Sequence, residues 1–163
     1  MLNMAELFET QKILDQRIVE THHLEEQSFV SEKILALLVE LGELANETRC
    51  FKFWSLKGPS DRPIILEEYV DGLHFILSIG LDFNYEKVEL RPESASEITL
   101  TLRFLSVYAK IETFSHTQSV QNYKDVFESF LLLGYQLGFS NEDIVQAYAR
   151  KNMINHERQE QGY

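Results

Sequence analysis

The sequence contains few glycines and prolines, which interrupt helices, and almost no cysteine, which forms disulfides. Its 163 residues include seven glycines, three prolines and a single cysteine, Cys50. One cysteine excludes an intrachain disulfide and favours a reducing compartment, so we predict a cytoplasmic protein. The scarcity of glycine and proline disfavours an all-β protein of this size and favours helices.

Two further deficits exclude classes of partner. No stretch of about 18 apolar residues occurs that could span a bilayer. Lys and Arg number 15 against 26 Asp and Glu, and the formal net charge of −11 disfavours binding to nucleic-acid phosphates. We therefore expect neither a membrane nor a nucleic acid as a partner.

The apolar residues that are present suffice for one helical domain. Hydrophobic residues make up 44% of the chain, and no repeat or long linker divides it. We predict a single domain over residues 1–163 with an all-α fold, a bundle of five to six helices. The predicted helices cover about 4–20, 31–47, 65–79, 95–112, 119–137 and 141–155. Residues 98–102 would also fit a short strand.

Local signals predict where several of these helices begin and end. Ser31 and Ser140 are the predicted N-caps of the second and last helices, and Asp143 is a capping-box partner for Ser140. Gly80 and Gly138 are predicted to end the third and fifth helices.

Two acidic pairs stand among apolar residues. Glu40 and Glu43 are three apart in VELGELANE, and Glu68 and Asp71 repeat that spacing in EEYVDGLHF. Residues three or four apart share a helix face, and leucines on the same stripe turn this face towards other helices. Neighbouring buried carboxylates need a neutralising partner, and Mg²⁺ takes oxygen ligands while leaving positions for water and phosphates. Two facing pairs therefore predict a site for phosphoanhydride hydrolysis, whereas either pair alone also fits a solvated face.

The spacing of the two pairs, with 24 residues between them, resembles the metal-binding pattern of the all-α nucleotide pyrophosphohydrolases. These are the MazG-like enzymes and the dimeric dUTPases. Three other segments are similar to the dimeric dUTPases in particular. They are LFETQKILD around Gln11, CFKFW ending at Trp54, and the C-terminal KNMINHERQEQGY.

The resemblance implies three groups of site residues. The carboxylates that would bind Mg²⁺ are Glu40, Glu43, Glu68 and Asp71. Glu43, or its neighbour Glu40, would also orient or deprotonate the attacking water. The side chains that would line the base and sugar pocket are Gln11, Trp54, His74 and Phe75. Those that would hold the phosphates and close the site are Lys151, Asn155, Arg158 and Tyr163.

Several of these residues also have ordinary interpretations when they are considered singly. Gln11 fits a surface amide, and Trp54 and His74 fit core positions. Lys151 and Arg158 fit cations near a helix C-terminus, where they favour the helix dipole.

The function that the resemblance implies is Mg²⁺-dependent hydrolysis of dUTP to dUMP and pyrophosphate by a homodimer. Two alternatives stay open. A related MazG-like pyrophosphohydrolase would act on another dNTP, such as dCTP or a modified nucleotide. A non-catalytic helical interaction module would keep its acids solvated and bind no Mg²⁺ with a nucleotide.

Overall fold

The chain folds into successive α-helices joined by short loops. The structure, a computed structural model, describes residues 2–93 and 97–163. Within these ranges there are six helices and no strand. They are α1 (Met4–His22), α2 (Val30–Thr48), α3 (Arg62–Asp82), α4 (Leu100–His116), α5 (Val120–Gln136) and α6 (Asn141–Glu160). The all-α prediction is confirmed.

Polar side chains cap the start of most of these helices. Asn3, Thr99 and Ser119 each accept a hydrogen bond from the backbone N–H three residues further on. Ser140 and Asp143 form the predicted capping box at the start of α6. These bonds satisfy N–H groups that have no partner inside the helix, which is why the helices begin at these residues.

α3 is the central helix and packs against α1, α2, α5 and α6. Its side chains Tyr69, Leu73 and Leu77 are completely buried. One hydrophobic cluster receives side chains from all six helices. No described helix is long and apolar enough to cross a membrane. The polar residues of α3 are thereby held against α2 on one side and α6 on the other.

Gly80 does not end α3, contrary to the prediction, because the helix continues to Asp82. A Cβ atom at Gly80 would lie 2.2 Å from the hydroxyl oxygen of Tyr123 and 3.0 Å from the ring of Phe8. Glycine at this position therefore allows a close approach between helices rather than a helix stop.

Three helices also differ in extent from the prediction, and one of them is α4, which ends at His116 and not near residue 112. α2 begins at Val30, so Ser31 is not its N-cap, and the residue in that position, Phe29, makes no side-chain capping bond. α6 extends beyond Asn155 to Glu160 because its last turns are bonded to α1.

The strand alternative for residues 98–102 is wrong. Leu100 is the first residue of α4, and the Thr99 hydroxyl caps it by accepting from a backbone N–H. The predicted start of this helix at Ala95 lies outside the described residues.

Candidate active site

Three carboxylates from two helices converge where α2 packs on α3. Glu40 of α2 and Glu68 and Asp71 of α3 can each offer an oxygen within 4.8 Å of the others. One member of the first acidic pair, Glu40, therefore meets both members of the second pair. Glu43, the fourth predicted ligand, is not part of this group of three. It is exposed, lies beside Glu40, and shares a surface depression with Glu68.

The three carboxylates repel one another in a partly desolvated place. Burial raises the pKa of Glu40 to about 7, and the negative charges of Asp71 and Glu43 add to the effect. Burial and the same two neighbours also raise the pKa of Glu68 to about 7. The pKa of Asp71 is raised by burial as well, although Lys151 opposes this. The group as it stands lacks enough positive charge, which a divalent cation would supply.

Lys151 of α6 is the cation that lies against this group. Its Nζ is 2.9 Å from Asp71 Oδ2 and 3.0 Å from Glu67 Oε1. Burial disfavours the charged lysine, but the two carboxylates outweigh burial and raise its pKa. One ammonium group therefore links α6 to the acidic junction of α2 and α3.

A cavity of about 430 Å³ opens beside the acidic group, and Glu40 and Asp71 form part of its wall. This volume falls within the range of roughly 300–1,000 Å³ that is usual for small-molecule sites. Seven of the eight predicted substrate-binding residues line it: Gln11, His74, Phe75, Lys151, Asn155, Arg158 and Tyr163. The structure thus brings α1, α3, α6 and the chain end together around one space.

Trp54 is the exception among the predicted substrate-binding residues. It lies in the loop between α2 and α3, is 65% exposed, and does not line the cavity. Its ring packs edge-on against Phe53 and Phe51, with centroids 5.1 and 6.1 Å away. Within the single chain Trp54 does not reach the cavity, so its contact with a base stays a prediction.

The last residues fold back over the end of α6. The backbone N–H of Tyr163 donates to the carbonyl of Arg158 at 2.9 Å. The guanidinium carbon of Arg158 lies 5.1 Å from the centre of the Tyr163 ring, a cation–π contact. This arrangement brings both side chains to the cavity wall.

Sequence reasoning missed three residues around Gln11. Asp15, Ser78 and Tyr148 join Gln11 and His74 in one hydrogen-bond network. The signal was present in the helical spacing, because Gln11 and Asp15, and likewise His74 and Ser78, are four residues apart.

Comparison with known families decides what kind of protein carries this site. A family model described as dUTPase matches residues 3–163, nearly the whole chain. The chain belongs to the dUTPase family. No individually curated protein matches the sequence at a significant level.

Membership in the dUTPase family makes the chain a nucleotide pyrophosphohydrolase, with dUTP diphosphatase as its activity. Enzymes of this family depend on divalent metal, and the acidic group of this dUTPase is a suitable place for it. The two alternatives, action on another dNTP and a non-catalytic module, are less well supported.

Proposed function

We propose that this chain hydrolyses dUTP to dUMP and pyrophosphate with Mg²⁺ held by carboxylates at the junction of α2 and α3. The observation that carries the proposal is one of position. Glu40 and Asp71 of the acidic group lie on the wall of a nucleotide-sized cavity in a chain of the dUTPase family. The reacting phosphates would lie at the acidic end, and the base would lie among Gln11 and His74.

The chemistry of the donors fits Mg²⁺. Three carboxylate oxygens within 4.8 Å of one another are hard ligands of the type that Mg²⁺ takes, and none is a soft sulfur or an imidazole. Burial and the negative charge of neighbouring acids raise the pKa values of Glu40 and Glu68, and a bound cation would oppose both effects. Glu43, exposed beside Glu40, would complete the set from the open side.

When bound, Mg²⁺ would supply positive charge to the phosphate oxygens and hold water in a defined position. Glu43 is the residue of this chain that we expect to orient or deprotonate the attacking water, since it is the most exposed carboxylate of the four. Glu40 is the alternative for this role, because it lies within hydrogen-bonding reach of Glu43. The water's proton would pass to a carboxylate oxygen as the new bond from the water oxygen to phosphorus forms. A P–O bond of the bridge between the α- and β-phosphates would break, and dUMP and pyrophosphate would separate.

Cations of α6 would stabilise the triphosphate. Lys151, Asn155 and Arg158 line the same cavity wall, and Arg and Lys stabilise charge that accumulates on phosphate oxygens during transfer. Lys151 already bridges two carboxylates, so it also ties the position of the phosphates to that of the acidic group. Tyr163, held against Arg158, would cover the bound nucleotide.

The nucleoside would occupy the apolar part of the cavity. Gln11 and His74 would face the base, and Phe75, half-buried on the cavity wall, would pack against C2′ of the sugar and disfavour a ribonucleotide. Trp54 would stack on the base if its loop, or the loop of a second copy, covered the cavity. Stacking of an indole on a pyrimidine is favourable in either arrangement.

We also propose a homodimer. Leu35 and Val39 of α2 are 63% and 50% exposed, and Leu102 and Leu105 of the neighbouring α4 are 52% and 58% exposed. Phe53 in the adjoining loop is 93% exposed. Large exposed apolar side chains on two adjacent helices are typical of a surface that a partner covers, and a second copy is the partner that the family favours.

A single domain over residues 1–163 and a cytoplasmic location complete the proposal. One hydrophobic cluster that draws on all six helices supports the single domain. The lone Cys50, which is not in a disulfide, is in keeping with a reducing compartment.

The test is a panel of deoxynucleoside and ribonucleoside triphosphates incubated with the purified protein and Mg²⁺, with products separated by ion-exchange chromatography. We expect selective loss of dUTP with dUMP and pyrophosphate in equal amounts. Formation of dUDP and phosphate would overturn the proposed cleavage between the α- and β-phosphates. Selective cleavage of another nucleotide would overturn the base assignment. The absence of any cleavage with Mg²⁺ or Mn²⁺ would overturn the proposed enzymatic activity.

A further inference from the structure

Gln11 lies in a network of hydrogen bonds on the cavity wall that uses nearly all of its bonding capacity. Its Nε2 donates to Asp15 Oδ1 at 2.9 Å. Its Oε1 accepts from the Tyr148 hydroxyl at 2.9 Å and lies 2.6 Å from Nδ1 of His74. An amide oxygen has two lone pairs and an amide nitrogen has two protons. Gln11, which is 3% exposed, therefore keeps one N–H for a ligand and no acceptor.

Asp15 determines which way this amide points. Its carboxylate accepts from Gln11 through Oδ1 and from the Ser78 hydroxyl through Oδ2, at 2.9 and 2.7 Å. An ionised carboxylate only accepts hydrogen bonds. Rotation of the Gln11 amide by half a turn would place its oxygen against Asp15 Oδ1, with two acceptors facing each other in a buried place.

The orientation of Gln11 in turn determines the tautomer of His74. The oxygen of Gln11 is only an acceptor, so Nδ1 of His74 carries the proton. Burial and the nearby charge of Lys151 lower the pKa of His74 to about 3, and the ring is neutral. Nε2 of His74 is therefore an acceptor, and among the described residues it has no partner although it is buried. Such an atom is costly unless a ligand or water donates to it.

We propose that Asp15 is a positioning residue that, through Gln11, makes the cavity wall present one N–H and one imidazole acceptor to the base. The proposal rests on the proposed dUTP hydrolysis. The complementary ligand edge has a carbonyl next to an N–H, which is the imide edge of uracil. Cytosine in the same position offers an amino group and an unprotonated ring nitrogen, so both contacts become repulsive. Asp15 thereby selects against the cytosine nucleotide without touching the base.

The substitution Asp15→Asn tests the proposal because it keeps the shape of the side chain but replaces one of its two acceptor oxygens with a donor. The new amide can donate to Gln11, so the Gln11 amide can turn and donate to Nδ1 of His74. The His74 proton then moves to Nε2. The cavity wall would then present an acceptor on Gln11 and an N–H on His74, the reverse of the wild type. This pattern is complementary to the amino group and the unprotonated ring nitrogen of cytosine. We expect the ratio of kcat/KM for dUTP to that for dCTP to fall at least about tenfold, mainly through KM.

The second readout is the protonation of His74, measured by ¹⁵N NMR of the imidazole in the full chain. We expect the proton on Nδ1 in the wild type and a shift towards Nε2 in Asp15→Asn. Asp125→Asn is the matched control, because Asp125 accepts from Gln121 four residues earlier in the same way, but on α5 and away from the cavity. Its nucleotide ratio and its tautomer should remain those of the wild type.

The outcomes separate this proposal from the proposed function. Wild-type protein with the His74 proton on Nε2 overturns the proposal and needs no folded variant. A wild type that hydrolyses dUTP, together with a folded Asp15→Asn variant of unchanged ratio and tautomer, overturns the proposal and leaves the function standing. A wild type that cleaves no nucleotide overturns both.

Discussion

Mutually repelling negative charges are concentrated in a few side chains at the junction of α2 and α3. Glu40, Glu68 and Asp71 approach one another, and Lys151 is the cation that balances them in part. Repulsion of this kind is tolerated at a site because a ligand relieves it. The same feature that weakens the metal-free protein therefore prepares it for a cation.

The raised pKa values of these carboxylates predict how the stability of the metal-free protein depends on pH. The pKa of Glu68 is about 7 in the folded chain, against 4.5 for the free group. Between these values the folded state binds more protons than the unfolded state, so its stability falls as pH rises from about 4.5 to about 7. Glu40 contributes in the same direction. Neutral His74 acts in the opposite direction up to about pH 6.5, but as one group against two glutamates. Urea unfolding in EDTA should therefore give a lower free energy of unfolding at about pH 8 than at about pH 5.5.

Glu68→Gln is the variant that isolates the effect. Its stability should change less between the two pH values than that of the wild type, and added Mg²⁺ should stabilise the wild type more than the variant at the higher pH. Equal pH dependence in the two proteins would contradict the account of the acidic group.

At the scale of helices, the interior depends on a few close approaches that only glycine permits. Gly80 of α3 faces the Tyr123 hydroxyl, and Gly134 of α5 faces Tyr69, where a Cβ would lie 2.4 Å from the hydroxyl oxygen. Both tyrosines are buried and donate to backbone carbonyls on the facing helices. Neither ring can move away without losing such a bond.

Gly80→Ala should therefore destabilise the fold by about 1–3 kcal/mol, since overpacking of a well-filled core has this cost. Gly58→Ala is the matched change in the exposed loop, where a Cβ meets nothing within 4 Å, and it should alter stability by less than about 0.5 kcal/mol. Thermal or urea unfolding of both variants checks the prediction. A stable Gly80→Ala variant would show that the Tyr123 contact is not tight.

The helices were predictable from the sequence because apolar spacing and polar caps are local signals. Ser140 with Asp143 is an example in which neighbours along the chain form the whole capping motif. The role of Gly80 was not predictable, since a glycine that ends a helix and one that admits a tyrosine from another helix look alike along the chain.

The candidate site divides in the same way. The spacing of each acidic pair placed it on one face of a helix. Leucines on the same stripe turn both faces towards other helices, and this predicted that the two faces would lie against each other. The network of Asp15 and Tyr148 depends on how α1, α3 and α6 pack, and no local pattern contains that. Trp54 is exposed in the single chain. Whether another molecule covers its loop depends on a partner that is not part of this chain.

At the scale of the whole molecule, the exposed apolar surface of α2 and α4 predicts the oligomeric state. Leu105→Glu would place a charge in the proposed interface, and we expect the protein to change from twice the mass of one chain to a single chain. Ile13→Glu is the control, because Ile13 is 53% exposed on α1, which packs against α3 and α6. Size-exclusion chromatography with light scattering measures both. A monomeric wild type, or a dimeric Leu105→Glu variant, would contradict this interface.

The central claim is that the carboxylates of α2 and α3 carry out dUTP hydrolysis. Its most direct test is kcat/KM for dUTP with Mg²⁺, compared among the wild type, Glu68→Gln and Glu32→Gln. Glu32 is an exposed acid in the first turn of α2, so its change to Gln controls for the loss of a charge. We expect kcat/KM to fall at least about 100-fold for Glu68→Gln and to change little for Glu32→Gln. Full dUTP hydrolysis by Glu68→Gln would contradict it.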